Sequence, residues 1–269
     1  MHNFIYYTIE FNLGKIQMSL RLSLPQEIFG VSVVIVAIAL LFYLDNRAKK
    51  GKVPYIRRLP ALDGLDYAIN RAGELKKPVY CELGGTLTGT DGVMLSAALG
   101  MLPYIARRCA KDGIRLIVGL YAYEVAPLIR SVLDSAALAE GKERSFFPNS
   151  DILFLVSENA FYPIHIIEFN DCRVGIAIGR ISLQALSVAQ ANKARGCIDI
   201  QGTAFINQIH AIGLLANYSL IAEDFFAGSA VLSGESEGKV TMRMEDIIKG
   251  GILVLLPIMY AMWRLGIRL

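Results

Sequence analysis

The chain has 269 residues, 54% of them hydrophobic and 19% charged, with a net charge of +3. So few charges, nearly balanced in sign, leave no case for a nucleic-acid-binding surface. A mean hydropathy of +0.44 is high for a purely soluble enzyme.

Residues 1–17 read poorly as part of any element, and Met18 opens a leader, MSLRLSLPQEIFG, with Arg21 near its front. A translation start at Met18 accounts for that break. The leader, residues 1–27, runs into Ile28–Leu44, which carries no charge over about 17 residues, the lower limit for crossing a hydrocarbon core. Residues 45–60 follow as a basic juxtamembrane segment. Arg47, Lys49, Lys50, Lys52, Arg57 and Arg58 crowd there against Asp45 alone. Charge placed after the apolar stretch, without a small-residue cleavage site, argues for an uncleaved anchor rather than a signal peptide. Positive flanks favour the inner side, so the body that follows is expected in the cytoplasm, with the lipid bilayer as its first partner.

Residues 61–239 alternate short apolar runs with amphipathic ones. Val79–Leu83, Ile114–Leu120, Ile152–Val156, Val174–Ile178, Cys197–Ile200 and Tyr218–Ala222 are too short for helices and rich in β-branched residues. Several are apolar on both alternations, as strands covered on both faces should be. Between them, helices are predicted at Ala61–Leu75, Gly92–Lys111, Tyr123–Glu140, Ser157–Asn170, Ser182–Ala194, Phe205–Leu215 and Glu223–Leu232. Thr90 or Asp91 is placed to cap the second, and Pro103 predicts a kink in it. This alternation predicts an α/β fold: a Rossmann-like, doubly wound, mostly parallel sheet of about six strands. Ser233–Lys239 reads as a loop. Gly250–Trp263, within a terminal segment spanning residues 247–266, holds about 14 uncharged residues, short for a span and interrupted by Pro257. Snorkelling Lys249 and Arg264 and the interfacial Trp263 favour a second crossing over an interfacial helix.

In an open parallel sheet, ligands collect beyond the carboxyl ends of the strands. After the first predicted strand comes a glycine- and hydroxyl-rich turn running from Gly84 to Gly92, in which Gly84, Gly85, Thr86, Thr88 and Asp91 are candidate ligand-binding residues. Its backbone N–H groups suit an anion, but it is neither a GxGxxG fingerprint nor a P-loop, and no lysine follows it. A turn without a ligand is the competing reading. Arg180 after the fourth strand is positioned for an anionic ligand or for Glu223 or Asp224. Gly202 and Thr203 follow the fifth strand and complete the set. The acidic pair suits a cation or a proton, although helix starts favour acids in any case.

Neither His165 nor His210 has the partner spacing of a ligand or a base. No GxSxG, HExxH or DxD pattern occurs. Cys81, Cys109, Cys172 and Cys197 form no CxxC pair, which predicts buried free thiols rather than a metal site. The residues therefore name no cofactor and no reaction.

Arg57–Asp63, the run Gly196-Cys197-Ile198-Asp199-Ile200-Gln201-Gly202-Thr203, and Tyr218–Phe226 with Gly228–Gly234 resemble a prokaryotic family of membrane-anchored proteins catalogued as a domain of unknown function. The resemblance extends from about Arg57 to the last segment and implies architecture and membrane location, not chemistry. Related sequences tend to read Gly-Glu-Glu where this chain has Ala222-Glu223-Asp224, and to carry an acid near Gln184.

The reading that follows is a membrane-anchored scaffold or sensor with a ligand-binding domain, able to associate with itself because large apolar patches need cover. The alternatives are a membrane-tethered enzyme acting on a nucleotide or phosphorylated small molecule, with Glu223 or Asp224 as acid or metal ligand, and a subunit of a larger membrane complex.

Overall fold

A computed structural model of the chain describes the backbone of residues 6–13, 16–52, 54–155, 161–181, 185–234 and 236–264. Side chains are described within those ranges from residue 35 onward, except 237, 254–256 and 258–264. The chain divides into two compact units, one of Met1–Pro54 with Val240–Leu269 and one of Tyr55–Lys239.

The first unit opens with an antiparallel ribbon of β1 (Tyr6–Leu13) and β2 (Ile16–Ser23), in register from Tyr6↔Ser23 to Leu13↔Ile16. Residues 6–13, which fit no element in the sequence reading, form β1. Met18 lies inside β2, opposite Phe11. Helix α1 (Leu24–Lys49) follows and contains the whole uncharged stretch. Residues 28–34 of that stretch lie outside the described side chains. In the remainder, Ile35, Val36, Ile38, Phe42 and Tyr43 are exposed, while Leu44 and Ala48 pack with Val240. Among the described residues no helix is long and apolar enough to cross a membrane, so the two spanning helices expected from the sequence gain no support here.

The second unit is the α/β domain. Helix α2 (Pro60–Leu75) starts on a proline, whose missing N–H is tolerated in the first turn. It buries Leu65, Ala68, Ile69 and Ala72, the i, i+3, i+4, i+7 stripe of an amphipathic helix. There follow β3 (Val79–Gly84), α3 (Gly89–Asp112), β4 (Leu116–Leu120), α4 (Ala126–Ala139), β5 (Ile152–Phe154), α5 (Phe161–Phe169), β6 (Val174–Gly179), α6 (Ala185–Ala194), β7 (Ile198–Thr203), α7 (Ile206–Leu215), β8 (Tyr218–Ile221) and α8 (Glu223–Leu232). The six strands are all parallel, in the order β5-β4-β3-β6-β7-β8. Counted from β3, this is 3-2-1-4-5-6, the doubly wound order, and its reversal falls between β3 and β6.

The reversal puts helices on both faces. On one face α2, α3 and α8 cover the sheet. There Gly64 of α2 lies so close to the Tyr218 ring that a Cβ would sit 2.4 Å from it, and Gly228 of α8 meets Leu220 and Met101. On the other face α5, α6 and α7 contribute Ile167, Asn192 and Ile212 above Tyr80, Asp199 and Ala177. Every residue of β3 and β6 is buried, as centre strands covered twice must be.

The expected elements are met with shifted edges. Residues 156–160 and 182–184, placed by the sequence at the end of one strand and the starts of two helices, lie outside the described residues. Strand β7 runs three residues beyond Ile200, because Gln201, Gly202 and Thr203 continue the ladder with β8. Ser233–Lys239 is not all loop. Helix α9 (Ser236–Arg264) begins inside it and contains Gly250–Trp263, and Gly238 lets it approach Ala230 closely enough that a Cβ would lie 2.9 Å away.

One junction is strained. Ala222, between β8 and α8, has φ 52° and ψ −111°, a conformation that L side chains resist and glycine accepts. Ala222→Gly is therefore expected to raise stability by about 1 kcal/mol, relief of strain exceeding the extra chain entropy of glycine. A higher denaturant midpoint with an unchanged slope checks it.

Candidate site at the switch point of the sheet

The carboxyl ends of β3 and β6 meet at the reversal, backbone against backbone. Arg180 N–H donates to Gly84 O at 3.2 Å. A Cβ on Gly84 would lie 2.0 Å from Arg180 O, and one on Gly179 would lie 2.3 Å from Gly84 O. Gly85 follows at φ +115° and turns the chain into the exposed segment Thr86–Thr90, where Thr86 Oγ1 and Thr88 Oγ1 are 3.4 Å apart. Helix α3 starts three residues before the expected Gly92. Its N-cap is Thr88, which makes no side-chain cap bond, so neither Thr90 nor Asp91 is the cap.

Asp91 instead lies in the first turn of α3 and accepts a 2.5 Å bond from Arg180 Nη1. The Arg180 guanidinium also stands 5.1 Å from the Phe205 ring. Six of the candidate residues, Gly84, Gly85, Thr86, Thr88, Asp91 and Arg180, thus share one end of the sheet. The other four end β7 or follow β8 at the same end, away from the β3–β6 junction. Gly202 faces the layer of α2, α3 and α8, beneath Phe225, and Thr203 is fully buried, its hydroxyl accepting from Phe205 N–H at 3.1 Å. Glu223 and Asp224 open α8, and Asp224 Oδ1 is bonded by Arg57 Nη2 at 2.5 Å. The expected Arg180–Asp224 pairing is not made: β6 ends beside β3, while Asp224 follows β8, two strands away, and is bonded by Arg57.

Behind this end, on the face covered by α5–α7, runs a row of polar side chains of which only Thr203 was among the candidates read from the sequence. The register aligns Tyr80 with Gly175 and Asp199, and Glu82 with Ala177 and Gln201. Strand β6 offers only Gly175 and Ala177 there, so longer side chains from β3 and β7 lean over it. The space above Gly175 is filled by Asn192, whose Nδ2 would be 2.8 Å from a Cβ. Glu82, Asp199, Gln201, Thr203, Asn192 and Gln208 are all buried. Tyr121 O–H donates to Glu82 Oε1 at 2.9 Å and Tyr80 O–H to Oε2 at 3.3 Å. Asn192 Nδ2 and Gln201 Nε2 donate to the two oxygens of Asp199 at 2.8 and 2.9 Å.

Burial disfavours both charges. It raises the Glu82 carboxyl to about 7, against the two tyrosine hydrogen bonds and with the nearby Asp199 adding to the rise. It raises Asp199 to about 6, against the bonds from Asn192 and Gln201. A signal for this row was present in Asp199, Gln201 and Thr203, which alternate with Ile198, Ile200 and Gly202. In a one-sided sheet that pattern faces water; in a doubly covered one it places polar groups inside.

A groove of about 770 Å³ lies at the opposite end, by the starts of β4 and β5, with Tyr162, His165 and Phe169 along it. Its polar floor is already paired: Arg115 donates twice to the buried carboxylate of Asp151, at 2.9 and 2.6 Å. His165 Nδ1 lies 3.6 Å from Glu168 Oε2 and its ring 4.1 Å from Phe161, while His210 is exposed. All four cysteines are free and buried. Burial pushes the Cys109 thiol to about 12, which leaves it unreactive. Among the described residues no group of three or more His, Cys, Asp or Glu is placed to hold a metal ion.

Fold and site together define a doubly wound α/β domain whose switch-point end is backed by a buried acidic row. Residues 22–267 match the family described as Domain of unknown function (DUF6754), and the chain belongs to that family. No curated protein and no solved structure matches it.

Proposed function

We propose that this chain is a membrane-tethered ligand sensor or scaffold, with a cytoplasmic α/β domain that takes a small molecule at the switch-point end of its sheet. One observation carries the ligand reading. At the strand reversal, where doubly wound sheets hold ligands, an exposed glycine-rich turn leaves the strand that carries the buried Glu82, which accepts from the half-buried Tyr121. The Arg180–Asp91 ion pair weighs against a phosphate there, because Arg180 already faces a carboxylate in the first turn of α3. Tethering draws on the exposed apolar side chains of α1 and the basic run behind them. Self-association is an extension of the same reading, since exposed apolar surface on α1 and α9 needs cover.

The test is a thermal-shift screen of the full chain in detergent against nucleotides, dinucleotides, amines and divalent ions. Saturable stabilisation by one class, abolished in Gly85→Val, supports a ligand at this turn. A flat response to every class contradicts it.

A further inference from the structure

The buried row contains one acceptor too many. Gln201 uses its Nε2 on Asp199, while its Oε1, in a fully buried side chain, has no hydrogen-bond partner among the described residues. A buried carbonyl left in that state costs the fold. The same register row, across Ala177, holds Glu82. As a carboxylate, Glu82 has only acceptor oxygens, and both already receive a tyrosine hydroxyl. As a carboxylic acid it has one O–H to give.

We propose that Glu82 is an internal proton-binding site of this domain: its carboxyl carries the proton that the row lacks, and Tyr121 connects it to the open end of the sheet. This goes beyond the ligand reading and does not depend on it. The groups around Glu82 fit a single bound proton. From β3 comes Tyr80, from the end of β4 Tyr121, and from β7 Asp199, with Cys81 of β3 adjacent in sequence. Strand β6 contributes only Gly175 and Ala177 to this face. The covering helices contribute the uncharged Ile167, Asn192, Ile212 and Gln208, while His165 and Glu168 of α5 line the separate groove. With the proton bound, the row holds at most the charge of Asp199. Without it, two buried carboxylates face each other along the row.

The linkage has a definite sign. A carboxyl raised in the folded state binds more protons folded than unfolded. The stability it contributes is complete below the unfolded value of about 4.3 and is lost as pH rises through about 7.

Infrared difference spectroscopy of the full chain across that range reads the site directly. The expected result is a protonated-carboxyl C=O component with its midpoint near pH 7, separate from the Asp199 component near pH 6, and missing in Glu82→Gln. Asp199→Asn, which removes the neighbouring charge, shifts the midpoint to lower pH and keeps the proposal testable if Glu82→Gln does not fold. A pH 7 component that survives in Glu82→Gln overturns the proposal, as does a Glu82 midpoint in the ordinary carboxylate range or one unmoved in Asp199→Asn. Loss of the band on adding potassium or sodium at constant pH also overturns it, because the site then belongs to a metal cation rather than a proton.

Discussion

Gly84→Ala is expected to cost the fold about 3 kcal/mol or more, a large share of the stability of a domain this size. The added carbon has no free volume. It would stand 2.0 Å from Arg180 O and 2.4 Å from Arg180 C, which are backbone atoms that no rotamer change can clear. To admit it, β3 and β6 must part at their carboxyl ends, with loss of the Arg180 N–H to Gly84 O bond and displacement of the Arg180–Asp91 pair. The damage should therefore be local as well as global: amides of residues 84–92 and 179–181 lose exchange protection before those of β4. A variant within about 0.5 kcal/mol of the parent, typical of surface changes, would mean the two strands are not in this contact.

Asp199→Ala should be comparably damaging, by about 3 kcal/mol, for a different reason. Two buried donors, Asn192 Nδ2 and Gln201 Nε2, lose their common acceptor, and at roughly 1–3 kcal/mol for each unsatisfied group the cost accumulates. Asn192 also fills the space over Gly175, so it cannot swing out to water without leaving a void. Asp199→Asn separates these effects. It keeps the volume and one acceptor oxygen, and a flip of the Gln201 amide offers an oxygen to the new NH₂. That variant should cost about 1 kcal/mol, the worth of an ordinary buried hydrogen bond. Urea unfolding of the three proteins gives the ranking, and equal losses in both variants would show that the hydrogen bonds of Asp199 are not what the row depends on.

Much of the architecture was open to inspection in the residues because strands and helices of a doubly wound sheet announce themselves locally. The run Val174–Ile178, without a polar residue, belongs only in a strand covered on both sides, and β6 is central. Pro60 before an apolar stripe marked the start of α2 to within one residue. Strand order was less accessible, since it depends on which edge the chain crosses to, and the same alternation serves any right-handed doubly wound arrangement.

The site was half visible. Gly84 and Gly85 stood out as part of a glycine-rich turn whose backbone N–H groups suit an anion, while the close contact of the Gly84 and Arg180 backbones emerges only in the fold. Arg180 was noticed, but its partner could not be: Asp91 is 89 residues away, and only the adjacency of β3 and β6 brings them together. The acidic row was missed because a single Glu in an apolar strand and an alternating strand both look like ordinary solvent-facing patterns. What buries them is the second layer of helices, together with the small side chains of β6. Neither is a property of the residues concerned.

We propose the strand reversal, and not the groove by Arg115 and Asp151, as the ligand end of this domain. Hydrogen exchange on the full chain, with and without whichever compound stabilises it, decides between the two ends. Protection concentrated in residues 84–92 and around Tyr121 is the predicted result. Protection confined to Asp151 and residues 162–170, with the glycine-rich turn unchanged, would contradict it.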